Sequence, residues 1–191
     1  MNREYRTIKV DMRGRVALLT MDNPPVNQLS PDFSEELRDV ITWAFQESEI
    51  NAVVLTGTGK NFMAGADITQ MQAVKKRDDI FRKALEASQF LNRIETGPKP
   101  VIAAINGHCL GAGLELAMAC HYRVAARGAK LGQPEVQIGL IPGAGGTQRL
   151  PRLIGLPSAL EMITTGTPIT AEQAHMRGLV DEVVDQTALL E

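Results

Sequence analysis

The stretch Val101–Val124, VIAAINGHCLGAGLELAMACHYRV, limits the folds open to this chain more than any other. It begins with Val101-Ile102-Ala103-Ala104-Ile105, an apolar run rich in β-branched residues and short enough for a buried strand. Asn106-Gly107 breaks that run. Gly111-Ala112-Gly113 then lets the backbone bend tightly, and Leu114–Ala119 consists of strong helix formers. A strand, a glycine turn and a helix start in this order leave free backbone N–H groups at the positive end of a helix, which suits an anion. Glu115 is a lone charge inside this apolar segment. It reads as half of a site whose other half is Gly132-Gln133-Pro134-Glu135.

The flanking sequence alternates between β and α patterns. Ile8–Asp11, a Gly14 turn and Val16–Met21 predict a β-hairpin. Asn23-Pro24-Pro25-Val26-Asn27 is a rigid loop. Ser30 and Pro31 start a helix as N-cap and first residue, with Phe33, Leu37, Val40, Ile41, Ala44 and Phe45 on its inner face. Ala52–Thr56 predicts a short buried strand, stopped by Gly57-Thr58-Gly59. Residues 69–95 read as a charged helix with Ile80, Leu85, Phe90, Leu91 and Ile94 inward. Val124–Ala126 predicts another strand, and Lys130–Glu135 leads into Val136–Ile141. Pro142–Gly146 opens a helix over Thr147–Ile154, and Leu156-Pro157-Ser158 caps the next, Ala159–Thr165. Thr170 and Gln173 form a capping arrangement for a last helix ended by Gly178, and Val180–Val184 is a final strand. This pattern predicts one α/β domain over residues 1–191, with a mostly parallel sheet.

Bulk properties exclude several functions. At 191 residues the chain can bury a sizeable core. A net charge of −2 and 4% aromatic residues argue against a nucleic-acid partner. The opening residues, MNREYRTIKV, lack a signal-peptide apolar block, and no apolar run could span a membrane. Cys109 and Cys120 both lie in the apolar centre, which fits buried thiols in a reducing compartment and a cytoplasmic location. Gly111-Ala112-Gly113 lacks the third glycine of a dinucleotide fingerprint. Gly59-Lys60 lacks the earlier glycine of a P-loop, and no serine occupies a nucleophile elbow. His108, His121 and His175 show no metal spacing. His108-Cys109 is a poor thiol pair, because adjacent side chains rarely point at each other.

Residue chemistry alone leaves Glu115 with two readings, a complement to the helix dipole or an acid–base group. Glu135 fits a solvated turn as well as a site. Gly143–Gly146 could simply enter a helix tightly, and Ala64–Asp67 could be a close-packed loop.

Taken together, the motifs resemble the crotonase (enoyl-CoA hydratase/isomerase) superfamily. The matching segments are Ala64-Gly65-Ala66-Asp67-Ile68, Ala104-Ile105-Asn106-Gly107, Gly111-Ala112-Gly113-Leu114-Glu115-Leu116-Ala117, Gly132-Gln133-Pro134-Glu135, Gly139–Leu150 and AHMRGLVDEVV from Ala174 to Val184. The resemblance runs from about Ile8 to Val184. It implies the ClpP-like spiral of repeated ββα units. It also implies further helices beyond Glu191, which help build a trimer or dimer of trimers; their absence suggests a fragment, a truncated form or the first part of a longer multifunctional β-oxidation chain. The proline-rich loop at Asn23–Asn27 is similar to that of multifunctional β-oxidation enzymes.

The resemblance also implies an activity, hydration of 2-enoyl-CoA in fatty-acid β-oxidation. The thioester carbonyl would lie between the backbone N–H groups of Ala66 and Ala112, an oxyanion hole for the developing enolate. Glu115 would activate water and Glu135 would deliver a proton to C2, the two titrating as a pair. Pro25, Val26, Asn27, Ala64, Gly65, Asp67 and Ile68 would line the CoA path. Gly111 and Pro134 would frame the reacting end, and Gly143 and Gln148 the acyl end. No metal or organic cofactor is implied, since coenzyme A belongs to the substrate. His121 replaces a usual acidic residue at the helix end. Two alternatives stay open. One is Δ3-Δ2-enoyl-CoA isomerase or other CoA-thioester chemistry on the same fold; the other is an inactive binding or assembly module.

Overall fold

The computed structural model describes residues 4–65 and 76–191. Two sheets, one large and one small, take alternate strands of the chain. The large sheet begins with the hairpin β1 (Ile8–Arg13) and β2 (Val16–Met21) and continues through β3 (Ala52–Gly57), β5 (Val101–Ile105), β7 (Tyr122–Ala126) and β10 (Glu182–Val184). Only the hairpin is antiparallel; the other neighbours run parallel, with Leu55, Ala103 and Arg123 in register across the centre. The small sheet holds β4 (Asn61–Ala64), β6 (His108–Leu110), β8 (Lys130–Gly132) and β9 (Ile169–Thr170).

Helices return the chain from the small sheet to the large one. α1 (Pro31–Gln46) follows the hairpin, α2 (Arg77–Glu95) comes after β4, and α3 (Ala112–Ala119) follows β6. After β8 come a 3-10 turn at Pro134–Ile138, α4 (Gly146–Ile154) and α5 (Leu156–Thr165); α6 (Ala171–Met176) follows β9. Large-sheet strand, small-sheet strand, helix is therefore the unit that recurs as β3-β4-α2, β5-β6-α3 and β7-β8-α4. This is the expected spiral of ββα units, a repeat of topology without a repeat of residues.

Local signals explain most element boundaries. The Ser30 hydroxyl accepts from the Phe33 amide at 3.3 Å, with Pro31 opening α1. Thr170 and Gln173 satisfy each other's backbone N–H groups at 3.2 and 2.9 Å, the capping box that starts α6. Phe33, Leu37, Val40, Ile41 and Ala44 turn inward from α1, while Phe45 packs at its edge. The core runs from Ile8 to Val180, with Phe62, Met63, Ile105 and Leu114 fully buried at its centre. Burying each such side chain contributes about 1.5–3 kcal/mol.

Some expectations need correction. Ile80 and Leu85 are exposed, 49% and 46%, because only the C-terminal half of α2 lies on the core through Leu91 and Ile94. The stretch Val136–Ile141, which the sequence left unassigned, is the end of a 3-10 turn and a loop, with Gly139 in a left-handed conformation. α3 starts at Ala112, earlier than its strong formers, and α5 starts at Leu156. Both cysteines are free and buried, as expected. No helix among the described residues is long and apolar enough to cross a membrane.

Candidate active site

Close backbone packing brings all three ββα units together. Gly113, in the first turn of α3, sits so tightly against the Met63 carbonyl of β4 that no Cβ fits between them. Gly111 turns the chain from β6 into α3 with φ +55°, and its amide donates to the Gly132 carbonyl at 2.9 Å. A side chain on Gly111 would start 3.1 Å from Glu135 Oε1 and 3.6 Å from Gly65 Cα. The end of β4, the start of α3 and the turn after β8 thus meet at one point.

Glu115 enters this point from α3 and is only 3% exposed. Its Oε1 accepts from the Ala144 amide at 2.7 Å and the Gly146 amide at 2.8 Å. Burial pushes its carboxyl above the ordinary range; the Gly146 and Ala144 amides and then the Arg149 guanidinium pull it back toward the ionised form. Glu135 is half-buried in the 3-10 turn. Burial pushes its carboxyl up to about 7, opposed by its own backbone N–H and reinforced by the negative charge of Glu115. The two glutamates therefore feel each other, and burial raises both carboxyls.

Gln133, with no solvent exposure, lies against Glu135. With its side-chain nitrogen turned toward Glu135, it donates to Oε1 at 2.8 Å and Oε2 at 3.0 Å. The other end of its amide and Glu115 Oε1 both lie 2.9 Å from where a side chain on Gly146 would begin. Gly146 is thus the shared floor beneath Gln133 and Glu115.

The remaining predicted positions fall in several places. Ala112 is the first residue of α3, so its N–H has no carbonyl within the helix to bond. Ala64 and Gly65 end β4 beside the proline-rich loop: the Ala64 amide donates to Val26 O at 3.1 Å, and the Leu29 amide to Gly65 O at 3.0 Å. Pro25 is exposed and Val26 half-buried. Asn27 is buried, and its amide donates to the Asn61 and Phe62 carbonyls at 3.0 and 3.2 Å, which ties the loop to β4. Pro134 starts the turn that carries Glu135, and Gly143 is exposed before α4. Ala66, Asp67 and Ile68 lie outside the described residues. Cys109 faces the core, where burial pushes its thiol well up, so the His108-Cys109 pair offers no thiolate. Among the described residues no cluster of His, Cys, Asp and Glu could hold a metal ion.

Sequence reading assigned no role to Gln133, to the Ala144 and Gly146 amides, or to Arg149. The glycines around Ala144 were a signal for a close backbone approach. Nothing local marks Arg149, whose partners lie on a different helix.

Residues 11–191 match the family model described as enoyl-CoA hydratase/isomerase. A probable enoyl-CoA hydratase of Bacillus subtilis (strain 168) is 48% identical over 165 residues, covering 86% of this chain and 64% of that protein. The glyoxysomal fatty acid beta-oxidation multifunctional protein MFP-a of Brassica napus is 46% identical over 186 residues, 96% of this chain and 26% of that protein. The chain thus spans less than two thirds of either relative. The crystal structure of an enoyl-CoA hydratase from Bacillus anthracis superposes with a TM-score of 0.90 at 41% identity, covering 96% of this chain and 72% of that one. Sequence, topology and superposition agree: this chain belongs to the enoyl-CoA hydratase/isomerase family and has the crotonase fold.

Proposed function

We propose that the protein containing this chain is an enoyl-CoA hydratase, converting 2-enoyl-CoA thioesters to 3-hydroxyacyl-CoA in fatty-acid β-oxidation. The observation that carries this reading is the pair Glu115 and Glu135 brought to one buried point, Glu115 under the Ala144 and Gly146 amides and Glu135 at the Gly111 turn. Burial raises the Glu115 carboxyl, and two amides and a guanidinium pull it back toward the ionised form. Burial and the neighbouring charge favour protonated Glu135. In this reading Glu115 serves as the base and Glu135 as the acid.

The steps balance as follows. Water, held by Glu115, gives up a proton to its carboxylate as the water oxygen bonds to C3. The C2–C3 π electrons shift onto the thioester, whose oxygen becomes an enolate. The Ala112 N–H and the positive end of α3 stabilise that oxygen, with Ala66 as the second donor by family resemblance. Collapse of the enolate draws the Glu135 proton onto C2. Glu115 ends protonated and Glu135 ionised, and exchange with solvent resets the pair. This chemistry uses no metal or organic cofactor; coenzyme A arrives with the substrate.

The CoA path in this reading runs along Pro25, Val26, Asn27, Ala64, Gly65, Asp67 and Ile68. Gly111 and Pro134 frame the reacting end, and Gly143 lies toward the acyl end. In this reading the protein forms a trimer or dimer of trimers when the C-terminal helices are present, and Ile141 and Leu156, 71% and 60% exposed here, are apolar surface available for further helices or a subunit to cover. The test is product analysis on matched 2-enoyl and 3-enoyl thioesters. Hydration of the 2-enoyl substrate to the 3-hydroxy product supports the reading. Turnover of the 3-enoyl substrate alone would make the protein an isomerase, and CoA binding without turnover would make it a binding module.

A further inference from the structure

Glu115 is oriented by a turn, and that turn is fastened from outside the site. Its two donors, Ala144 and Gly146, flank Gly145. Arg149, one turn into α4 and 7% exposed, lies over Gly145, where a Cβ would meet its Nη1 and push the guanidinium aside. Its guanidinium reaches in two directions. Nη1 donates to the Ala144 carbonyl at 3.1 Å. Nε and Nη2 donate to Glu95 Oε2 at 2.9 and 2.8 Å, and Nη2 also to Asn92 Oδ1 at 2.6 Å. Both of those acceptors belong to the last turn of α2.

We propose that Arg149 is a positioning residue for the Glu115 carboxylate, bolting the Ala144–Gly146 turn to α2 so that two backbone amides hold Glu115 Oε1 in place. Its effect on turnover rests on the hydratase reading above; its effect on the geometry does not.

Three features carry the inference. First, Ala144 is engaged on both sides: its carbonyl by Arg149 and its amide by Glu115, so any shift of the guanidinium passes straight to the carboxylate. Second, the task needs a planar fork with several donors, which lysine lacks. Third, the Glu95 side chain is 51% exposed, so the ion pair itself contributes little stability. A small energetic gain from a buried arginine points to geometry as its use. The charged groups around this relay are Glu135 facing Glu115 and Glu95 facing Arg149.

The experiment compares Arg149→Lys, Arg149→Gln and Glu95→Gln with the unaltered protein. It uses two readouts: kcat and KM for a 2-enoyl-CoA across pH, and amide proton shifts of Ala144 and Gly146 in the ligand-free protein. Arg149→Lys keeps the charge and loses the fork. It should lower kcat by about tenfold or more with KM within about twofold, because displaced catalytic groups cost turnover first. The Ala144 and Gly146 amides should move toward their positions in Glu115→Gln. Arg149→Gln should do the same and also move the acidic limb of the pH profile upward, since the cation facing Glu115 is gone. Glu95→Gln should produce a smaller change in the same direction. If the unaltered protein does not hydrate the substrate but the amides respond, the hydratase reading fails and the positioning role stands. If the amides of both arginine variants stay where they were, the proposal is overturned, whatever happens to melting temperature or activity.

Discussion

Glu115 Oε1 accepts a hydrogen bond from the Gly146 amide at 2.8 Å, across 31 positions of sequence. Helix α3 supplies the carboxylate and the entry to α4 supplies the donor, so the site exists only when two ββα units are packed together. Gly146 also lacks the atom that would collide with both Glu115 and Gln133. This relationship makes the turn before α4 part of the chemistry.

Gly146→Ala keeps the amide and adds a Cβ that would begin 2.9 Å from Glu115 Oε1 and 2.7 Å from the Pro142 ring. Glu115 can swing away, whereas the proline cannot. The substitution should therefore lower kcat by about tenfold to a hundredfold while the far-UV circular dichroism spectrum stays unchanged. Wild-type kcat in this variant would show that Glu115 tolerates displacement.

The pH dependence of kcat/KM should be bell-shaped. Glu135 must hold its proton, and its carboxyl is pushed up to about 7, so activity should fall as pH rises through that value. Glu115 must be ionised, and its carboxyl is also raised, so the acidic limb should lie above the ordinary glutamate value. The two limbs belong to the coupled pair. A profile flat from pH 5 to 9 would contradict both assignments.

Stability should respond to pH through the same group. Below its unfolded value near 4.5, Glu135 is neutral in both states and costs nothing. As pH rises toward about 7, the unfolded chain releases the proton more readily than the folded one, and stability is lost. Glu135→Gln removes that loss. Allowing for partial exposure, it should stabilise the protein by about 1–2 kcal/mol at pH 8 relative to pH 4, read as a pH-dependent gap between the two melting curves. A gap of the same size at both pH values would remove the electrostatic explanation.

Local rules made much of the fold legible. Ser30-Pro31 announced α1, the Thr170–Gln173 box announced α6, and the apolar run Val101–Ile105 announced the central strand. The strands of the small sheet were harder. His108–Leu110 and Lys130–Gly132 have three residues each and owe their existence to each other and to β4, so no window of sequence contains the cause. Ile80 and Leu85 have helical spacing, yet only half of α2 meets the core; periodicity gives a face without saying how far a neighbour extends. At the site, Glu115 stood out as a lone charge in an apolar helix. Arg149 did not, because its partners Asn92 and Glu95 lie on another helix, and Gln133 did not, because its use depends on how the turn folds Glu135 back onto it.

The measurement that bears most directly on the pair of glutamates is turnover of a 2-enoyl-CoA, followed by loss of the conjugated thioester absorbance, in Glu115→Gln and Glu135→Gln. Each substitution keeps the side-chain shape and removes one role, base or acid. Each should reduce kcat by about a hundredfold or more while the dissociation constant for the CoA thioester stays within about threefold of the unaltered protein. Undiminished turnover in either variant would contradict the shared acid–base role assigned to Glu115 and Glu135.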